Sequence, residues 1–326
     1  MEKSPFKNKK VLVAGGTGMI GIQLVKMLMK EGVSVRIASL DDPSRAHPES
    51  EFIKTDLTLL ENCRAVCRGM DYVFNLLGVK GSPAVQGNPA NLISPMLQFN
   101  TNLLRAAYEA EADGYLLTSS YGAYYPAEVL REDDLWSTPS PPNDLYAGHA
   151  KRTAELELEA YRIQYNWENT ATVRPANVYG PFDNFDSPNA MVVPSLIKRA
   201  VSGDNPLVVY GDGSQIRDFI HARDAAAGIL LAAKKSVHCL NLGSGSGVSI
   251  KELAGLIVSN LPRKPDIKFD LSKPSGDRKR VLDISRAKAL GFEPKITLAE
   301  GLKETMEWYV ENRDKARDRY DIFNTN

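Results

Sequence analysis

Apolar residues run unbroken from Val11 to Ala14, and then recur at Ile20, Leu24, Val25 and Leu28. The first run predicts a short buried strand. The second, at helical spacing, predicts a helix over residues 19–30. Residues 33–40 alternate apolar and polar and predict a second strand. Further strands are expected over 52–57, 71–77 and 115–118, with a helix over 91–112 before the last of these. A second long helix is expected over 144–165, with Asp144 as its N-cap, and a sixth strand with a rigid turn over 170–181. Strands alternating with helices predict the α/β class: a doubly wound, parallel Rossmann sheet with right-handed crossovers.

Composition adds bounds. A chain of 326 residues, 43% hydrophobic and 25% charged, is ordinary for a soluble globular protein of two domains, or of one domain with a large extension. Its formal net charge of zero offers no basic field for nucleic acid or an anionic membrane. No stretch approaches the ~20 apolar residues of a membrane span, and the basic start lacks the apolar run of a signal peptide. Three cysteines, Cys63, Cys67 and Cys239, suit a reducing cytoplasm and not a disulfide framework. Cys63 and Cys67 lie four apart but have no Cys or His neighbours to complete a metal site, so no metal is expected.

The chemistry starts between the first strand and the first helix. Gly15, Gly18 and Gly21 stand in Ala14-Gly15-Gly16-Thr17-Gly18-Met19-Ile20-Gly21. Glycine there allows a tight turn, close approach of a pyrophosphate to bare backbone, and close packing of helix on strand. The helix N-terminus at Met19 and Ile20 then presents free N–H groups to the phosphates. Asp41, twenty residues past Gly21, is placed to accept from the adenosine ribose and to repel a 2′-phosphate, which favours NAD. Asp56 and Leu57 are expected at the adenine edge, and Leu76 and Pro175 at further strand ends bordering the cofactor. Ser120 leaves the carboxyl end of the fifth strand, where ligands bind in open α/β sheets, and is expected to polarise a sugar hydroxyl or carbonyl. His221, despite its chemistry, is read as a helix-start residue.

The glycine turn, the segment around Lys151, Arg174-Pro175-Ala176-Asn177-Val178-Tyr179-Gly180-Pro181, Arg217-Asp218-Phe219-Ile220-His221, Leu240-Asn241-Leu242-Gly243-Ser244-Gly245 and Asp283-Ile284-Ser285-Arg286-Ala287 carry a resemblance. Over about residues 10–312 the chain is similar to the extended short-chain dehydrogenases, the NAD-dependent nucleotide-sugar epimerases, dehydratases and reductases. Within them it is most similar to GDP-fucose synthases and 4-epimerases, through residues 177–185 and 193–197. The resemblance implies a Rossmann domain over 1–176 plus about 207–242, and a smaller substrate-binding lid over 177–206 and 243–312. Residues 313–326, charged and short of apolar residues, are expected to form a disordered tail. It implies a nucleotide diphosphate sugar as substrate, with GDP favoured, held by Ser120, Asn177, Met191, Val192, Arg217 and Arg278 (or Arg280). It also implies a homodimer through the helices over 91–112 and 144–165.

The resemblance implies hydride transfer between nicotinamide and a sugar carbon, usually C4, with proton work by Ser, Tyr and a Lys four residues after the Tyr. Lys151 fits, but four residues before it stands Ala147, and Tyr146 is five back. At ~100° per residue, Tyr146 falls about 140° around the helix from Lys151. Either a distorted turn swings Tyr146 inward, or His149, Tyr125 or water on Ser120 replaces the phenol, or Ala147 is an introduced substitution. Where the family's 4,6-dehydratases carry Asp-Glu, Tyr121-Gly122 stand here. Where GDP-fucose synthases carry the Cys and His of 3,5-epimerisation, Gly122 and Met191 stand. Simple C4 redox is what remains: an NAD-dependent epimerase or dehydrogenase, with a 4-keto-sugar reductase and a non-catalytic dinucleotide-binding regulator as alternatives.

Overall fold

The computed structural model describes residues 4–79, 88–139, 144–185, 190–273 and 276–313. Of the tail expected over 313–326, residues 314–326 lie outside the described residues. The first half runs β1 (Lys10–Ala14), α1 (Met19–Lys30), β2 (Ser34–Ser39), β3 (Glu51–Lys54), α2 (Leu60–Cys67), β4 (Tyr72–Asn75), α3 (Pro89–Glu109), β5 (Gly114–Thr118), β6 (Val129–Leu130) and α4 (Leu145–Tyr165). The central part continues with β7 (Thr170–Pro175), β8 (Asn177–Tyr179), α5 (Val192–Val201), β9 (Leu207–Tyr210), β10 (Ile216–His221), α6 (Ala222–Lys234) and β11 (Leu240–Leu242). Last come β12 (Gly247–Ser249), α7 (Ile250–Ser259), β13 (Ile267–Asp270), β14 (Lys279–Leu282), α8 (Ser285–Ala289) and α9 (Leu298–Glu311).

Among the described residues, seven strands form one parallel sheet in the order β11-β7-β5-β4-β1-β2-β3. The sequence dictates this layering because successive strand residues point to opposite faces. Val11 and Val13 of β1 pack with Phe74, Leu116 and the α1 and α6 residues Leu24, Leu28 and Ile229. Leu12 and Ala14 face the other way, onto Cys63, Val66, Leu103 and Ala150 of α2, α3 and α4. Both faces of β1 are therefore dry, which is why its sequence reads as a continuous apolar run. The strand order reverses between β1 and β4, so the crevice at their carboxyl ends is the natural place for a ligand.

The second unit has its own core, with Tyr179, Leu196, Leu207, Leu253 and Leu302 among its members. Leu207, Val209 and Phe219, from the segment near 207–242 that the sequence assigns to the Rossmann domain, pack in this core. β9 pairs with β13, and β10 pairs with β8, β12 and β14. β11 returns to the Rossmann sheet by pairing with β7, and α6 and α8 pack on the same core through Ile229 and Ala287. β6, expected in the first domain, pairs with β14 of the second. Such pairings join segments as far apart as Val129 and Val281, and local periodicity carries no trace of them. At the seam, Arg174 of β7 makes a bidentate ion pair with Glu155 of α4 (3.0 and 2.6 Å), and its remaining amino group reaches Tyr124 Oη and the Glu132 carbonyl. A buried pair with these extra partners fixes the angle of α4 on the sheet. None of the described helices is long and apolar enough to cross a membrane.

Candidate active site

β1 ends at Ala14 and the chain turns sharply through Gly15, whose φ of +81° favours glycine. Gly15 N–H donates to Ala38 O, tying the turn to β2. Gly18 is the N-cap of α1 and has no side chain to cover its first N–H groups. Gly21 packs so tightly that a Cβ there would stand 2.3 Å from Gly15 O. The result is a cradle of bare backbone at a positive helix end, the chemistry a pyrophosphate requires.

This cradle forms one wall of a cavity of about 290 Å³, which Gly15, Gly18, Met19, Ile20 and Gly21 all line. Leu76, Leu77 and Gly78 enter from the end of β4, where Asn75 Oδ1 accepts from Leu77 N–H and holds the loop. Thr118, Ser119 and Ser120 enter from the end of β5. The Ser120 hydroxyl accepts from Gly122 N–H at 3.0 Å, so its own proton remains for another acceptor. Thr118 Oγ1 and Ser119 Oγ are buried with no protein hydrogen-bond partner, which is what a ligand-facing wall leaves.

Lys151 is 6% exposed and lines the cavity. Its Nζ donates to Leu77 O at 2.9 Å and Thr118 O at 2.7 Å, bridging the ends of β4 and β5. Burial pulls its pKa down to about 8, opposed by the nearby Glu155 carboxylate. Pro175, Asn177, Met191 and Val192 line the cavity as well.

Other expectations are met differently. The first turn of α4 is regular, with Gly148 N–H donating to Asp144 O, so Ala147 faces the cavity. Tyr146 points away from it and is 42% exposed, because no bulge rotates it inward. The structure thus does not bring Tyr146 to the site, and His149 and Tyr125 are exposed as well. Asp41 is buried outside the cavity lining, where it accepts from Thr17 of the glycine turn at 2.7 Å with Arg45 Nε 3.9 Å away. Asp56 uses its carboxylate locally, accepting from Thr58 N–H and Oγ1–H, and Leu57 is core. His221 caps α6, with Nδ1 accepting from Arg223 N–H, which is the structural role its sequence position suggests.

Arg217 stands across from Arg280 in the pairing of β10 with β14. Arg280 is buried and donates to Asp144 Oδ2 at 2.9 Å, with Asp277 as a second carboxylate partner. Arg278, the expected helper, precedes β14 and is exposed. Strand pairing, invisible in the sequence, makes Arg280 the second cation here. Tyr121, to which the sequence assigns no role in the site, lines the cavity beside Ser120 and donates to Asn177 Oδ1 at 2.8 Å. Its position directly after Ser120 at a strand's carboxyl end was the available signal.

Residues 11–243 match the pattern of the NAD dependent epimerase/dehydratase family. The chain is 32% identical to GDP-L-fucose synthase 1 of Arabidopsis thaliana, over 94% of each chain. Among solved structures it is similar to UDP-N-acetylglucosamine 4-epimerase from Methanobrevibacter ruminantium M1 in complex with UDP-N-acetylmuramic acid (TM-score 0.84, 26% identity, 94% of this chain and 99% of that one). It is also similar to MoeE5 in complex with UDP-glucose and NAD (TM-score 0.81, 28% identity, 93% and 99% covered).

Proposed function

We propose that this chain, which belongs to the NAD-dependent epimerase/dehydratase family and is a nucleotide-sugar-modifying enzyme, acts by hydride transfer at C4 of a nucleotide diphosphate hexose. One observation carries the reading: the glycine cradle, Lys151, Ser120 and Asn177 converge on a single cavity. NAD, when bound, supplies a nicotinamide that accepts or returns a hydride. The α1 N-terminus holds its pyrophosphate. Asp41, anchored by Thr17 beside the turn, favours a ribose hydroxyl over a 2′-phosphate. The Lys151 ammonium offers ribose hydroxyls a donor and gives the site positive potential. Ser120 donates to the sugar oxygen at the reacting carbon, and Asn177 fixes the ring.

Gly122 and Met191 carry no proton-transferring group, so 3,5-epimerisation is not part of this reading. A GDP-sugar is the favoured substrate, in line with the similarity to a GDP-L-fucose synthase. A homodimer through α3 and α4 belongs to the same reading, since Leu156, Ile163 and Tyr165 leave apolar surface exposed on α4. Reduction of a 4-keto sugar is the second reading. It is favoured by the in-cavity phenol of Tyr121, whose pKa burial raises, so that it is a proton donor at neutral pH.

Arg217, with Arg280 beside it, is the diphosphate clamp in this scheme, because a guanidinium fork matches phosphate oxygens in pairs. Arg217→Ala is expected to weaken binding of GDP-L-fucose or UDP-glucose by about 1.5–3 kcal/mol, the range for hydrogen bonds to charged groups. Calorimetric titration checks this. Unchanged affinity with an intact fold would place the substrate elsewhere.

A further inference from the structure

Ala147 leaves the cavity without a phenol on α4, yet the cavity does contain one. Tyr121 opens the single helical turn Tyr121–Ala123 that follows Ser120. Its Oη donates to Asn177 Oδ1 at 2.8 Å, and Asn177 is in turn fixed by donating from Nδ2 to Asp218 O at 2.9 Å. The guanidinium of Arg280 lies 5.8 Å from the Tyr121 ring centre. A Cβ added to Gly122, next in the chain, would meet Ser120 Oγ at 3.3 Å and the Asp144 carboxylate at 3.5 Å, so these polar groups crowd one corner of the cavity.

Among the described residues lining the cavity, the titratable side chains are Tyr121, Asp144 and Lys151. Two of them are committed elsewhere. Lys151 bridges two backbone carbonyls and Asp144 is ion-paired with Arg280. Tyr121 is different: a phenol O–H turns about its C–O bond, so it can leave Asn177 for a substrate oxygen without movement of the ring.

We propose that Tyr121 is the proton carrier of the sugar redox step, in the role that position 147 cannot fill. This rests on the C4 hydride reading above. In the oxidative direction the Tyr121 phenolate takes the proton of the C4 hydroxyl, the C4–H bond breaks, and its electron pair leaves as hydride to NAD, giving the C4 ketone and NADH. In the reductive direction hydride returns to C4 and the phenol gives its proton to the ketone oxygen. Water then restores the phenol. Burial raises the phenol's pKa, while Arg280 of β14 and Arg217 of β10 lower it and Asp144, ahead of α4, raises it. The protonated form therefore dominates at neutral pH.

The test uses the full-length protein with NAD and either GDP-L-fucose or UDP-glucose, followed by the absorbance of NADH in a single turnover. Tyr121→Phe is expected to lower turnover by about 10²–10⁴-fold, the effect of losing a positioned general acid/base. KM and NAD affinity are expected to stay within about twofold, the split that marks a group acting on the reacting atoms. Independently of turnover, alkaline titration of tyrosinate absorbance in the unliganded protein should lose one phenol that ionises later than an exposed tyrosine. Tyr121→Phe keeping pace with an active wild type would overturn the proposal alone, as would a collapse caused instead by Tyr146→Phe. A wild type that forms no NADH with either sugar nucleotide would remove the C4 reading, and this proposal with it.

Discussion

Lys151→Met is expected to cut turnover by about 10²–10³-fold, the effect of losing a pre-organised charged donor, while leaving the fold intact. Nζ is the charged group that joins the ends of β4 and β5 at the cavity, through Leu77 O and Thr118 O. Methionine keeps much of the volume and removes both the donor and the charge. A buried ammonium is held at a cost, which is why its folded pKa lies at about 8, below the ordinary 10.5. The sign follows: the folded state binds this proton less tightly than the unfolded state, so stability from this group rises as pH climbs from about 8 toward 10.5. At neutral pH the variant therefore loses little stability, since the orphaned carbonyls are offset by the absence of a buried charge. Activity moves the other way. Wild-type turnover is expected to fall as pH rises through about 8 and Lys151 loses its charge, and the Met variant should lack that limb. Rate profiles against pH, with melting curves on the same samples, check both halves. Wild-type rates that stay flat across this range would remove Lys151 from the mechanism.

Gly21→Ala is expected to abolish NAD binding and to destabilise the Rossmann unit. Its Cβ would stand 2.3 Å from Gly15 O and 2.7 Å from Gly16 Cα, and both obstacles are backbone. Neither can rotate aside, so α1 must retreat from the turn and the N–H groups of its first residues lose their aim at the pyrophosphate. Overpacking of this kind costs about 1–3 kcal/mol, and occasionally more when the strain falls on backbone. NAD titration and thermal melting report the two effects. Gly255→Ala is the control: its Cβ would meet nothing within 4 Å, and NAD binding should be unchanged. Normal NAD affinity in Gly21→Ala would mean that the cradle is not the pyrophosphate site.

Much of the dinucleotide half was legible in the sequence because its determinants are local. The run from Val11 to Ala14 reads as a strand buried on both faces, and it is one, with alternate residues in separate cores. The glycine spacing reads as a strand-to-helix turn, and Gly21 does pack against Gly15. The substrate side was less legible because strand pairing decides it. Arg278 and Arg280 look equivalent along the chain, yet the register of β14 with β10 sets Arg280 opposite Arg217 and leaves Arg278 exposed. The segment near 207–242 is assigned to the Rossmann domain by resemblance, whereas the partners of its strands β9 and β10 are the long-range strands β13 and β8. Tyr146 drew attention through its nearness to Lys151 in sequence, but regular helical rotation turns it to the surface. Along the chain Tyr121 stands out only as a departure from the dehydratase Asp-Glu pair, since no helical or strand period marks it; the short turn after Ser120 aims it into the cavity.

Hydride transfer at C4 is the central claim, and isotope transfer tests it most directly. The protein would be incubated with NAD and with GDP-L-fucose or UDP-glucose carrying deuterium only at C4 of the sugar, then denatured, and the released cofactor weighed by mass spectrometry. Deuterium on the reduced nicotinamide, with a C4 ketone on the sugar nucleotide, is the predicted result. Reduced cofactor without deuterium, or an unreduced cofactor beside unchanged sugar nucleotides, would contradict the account.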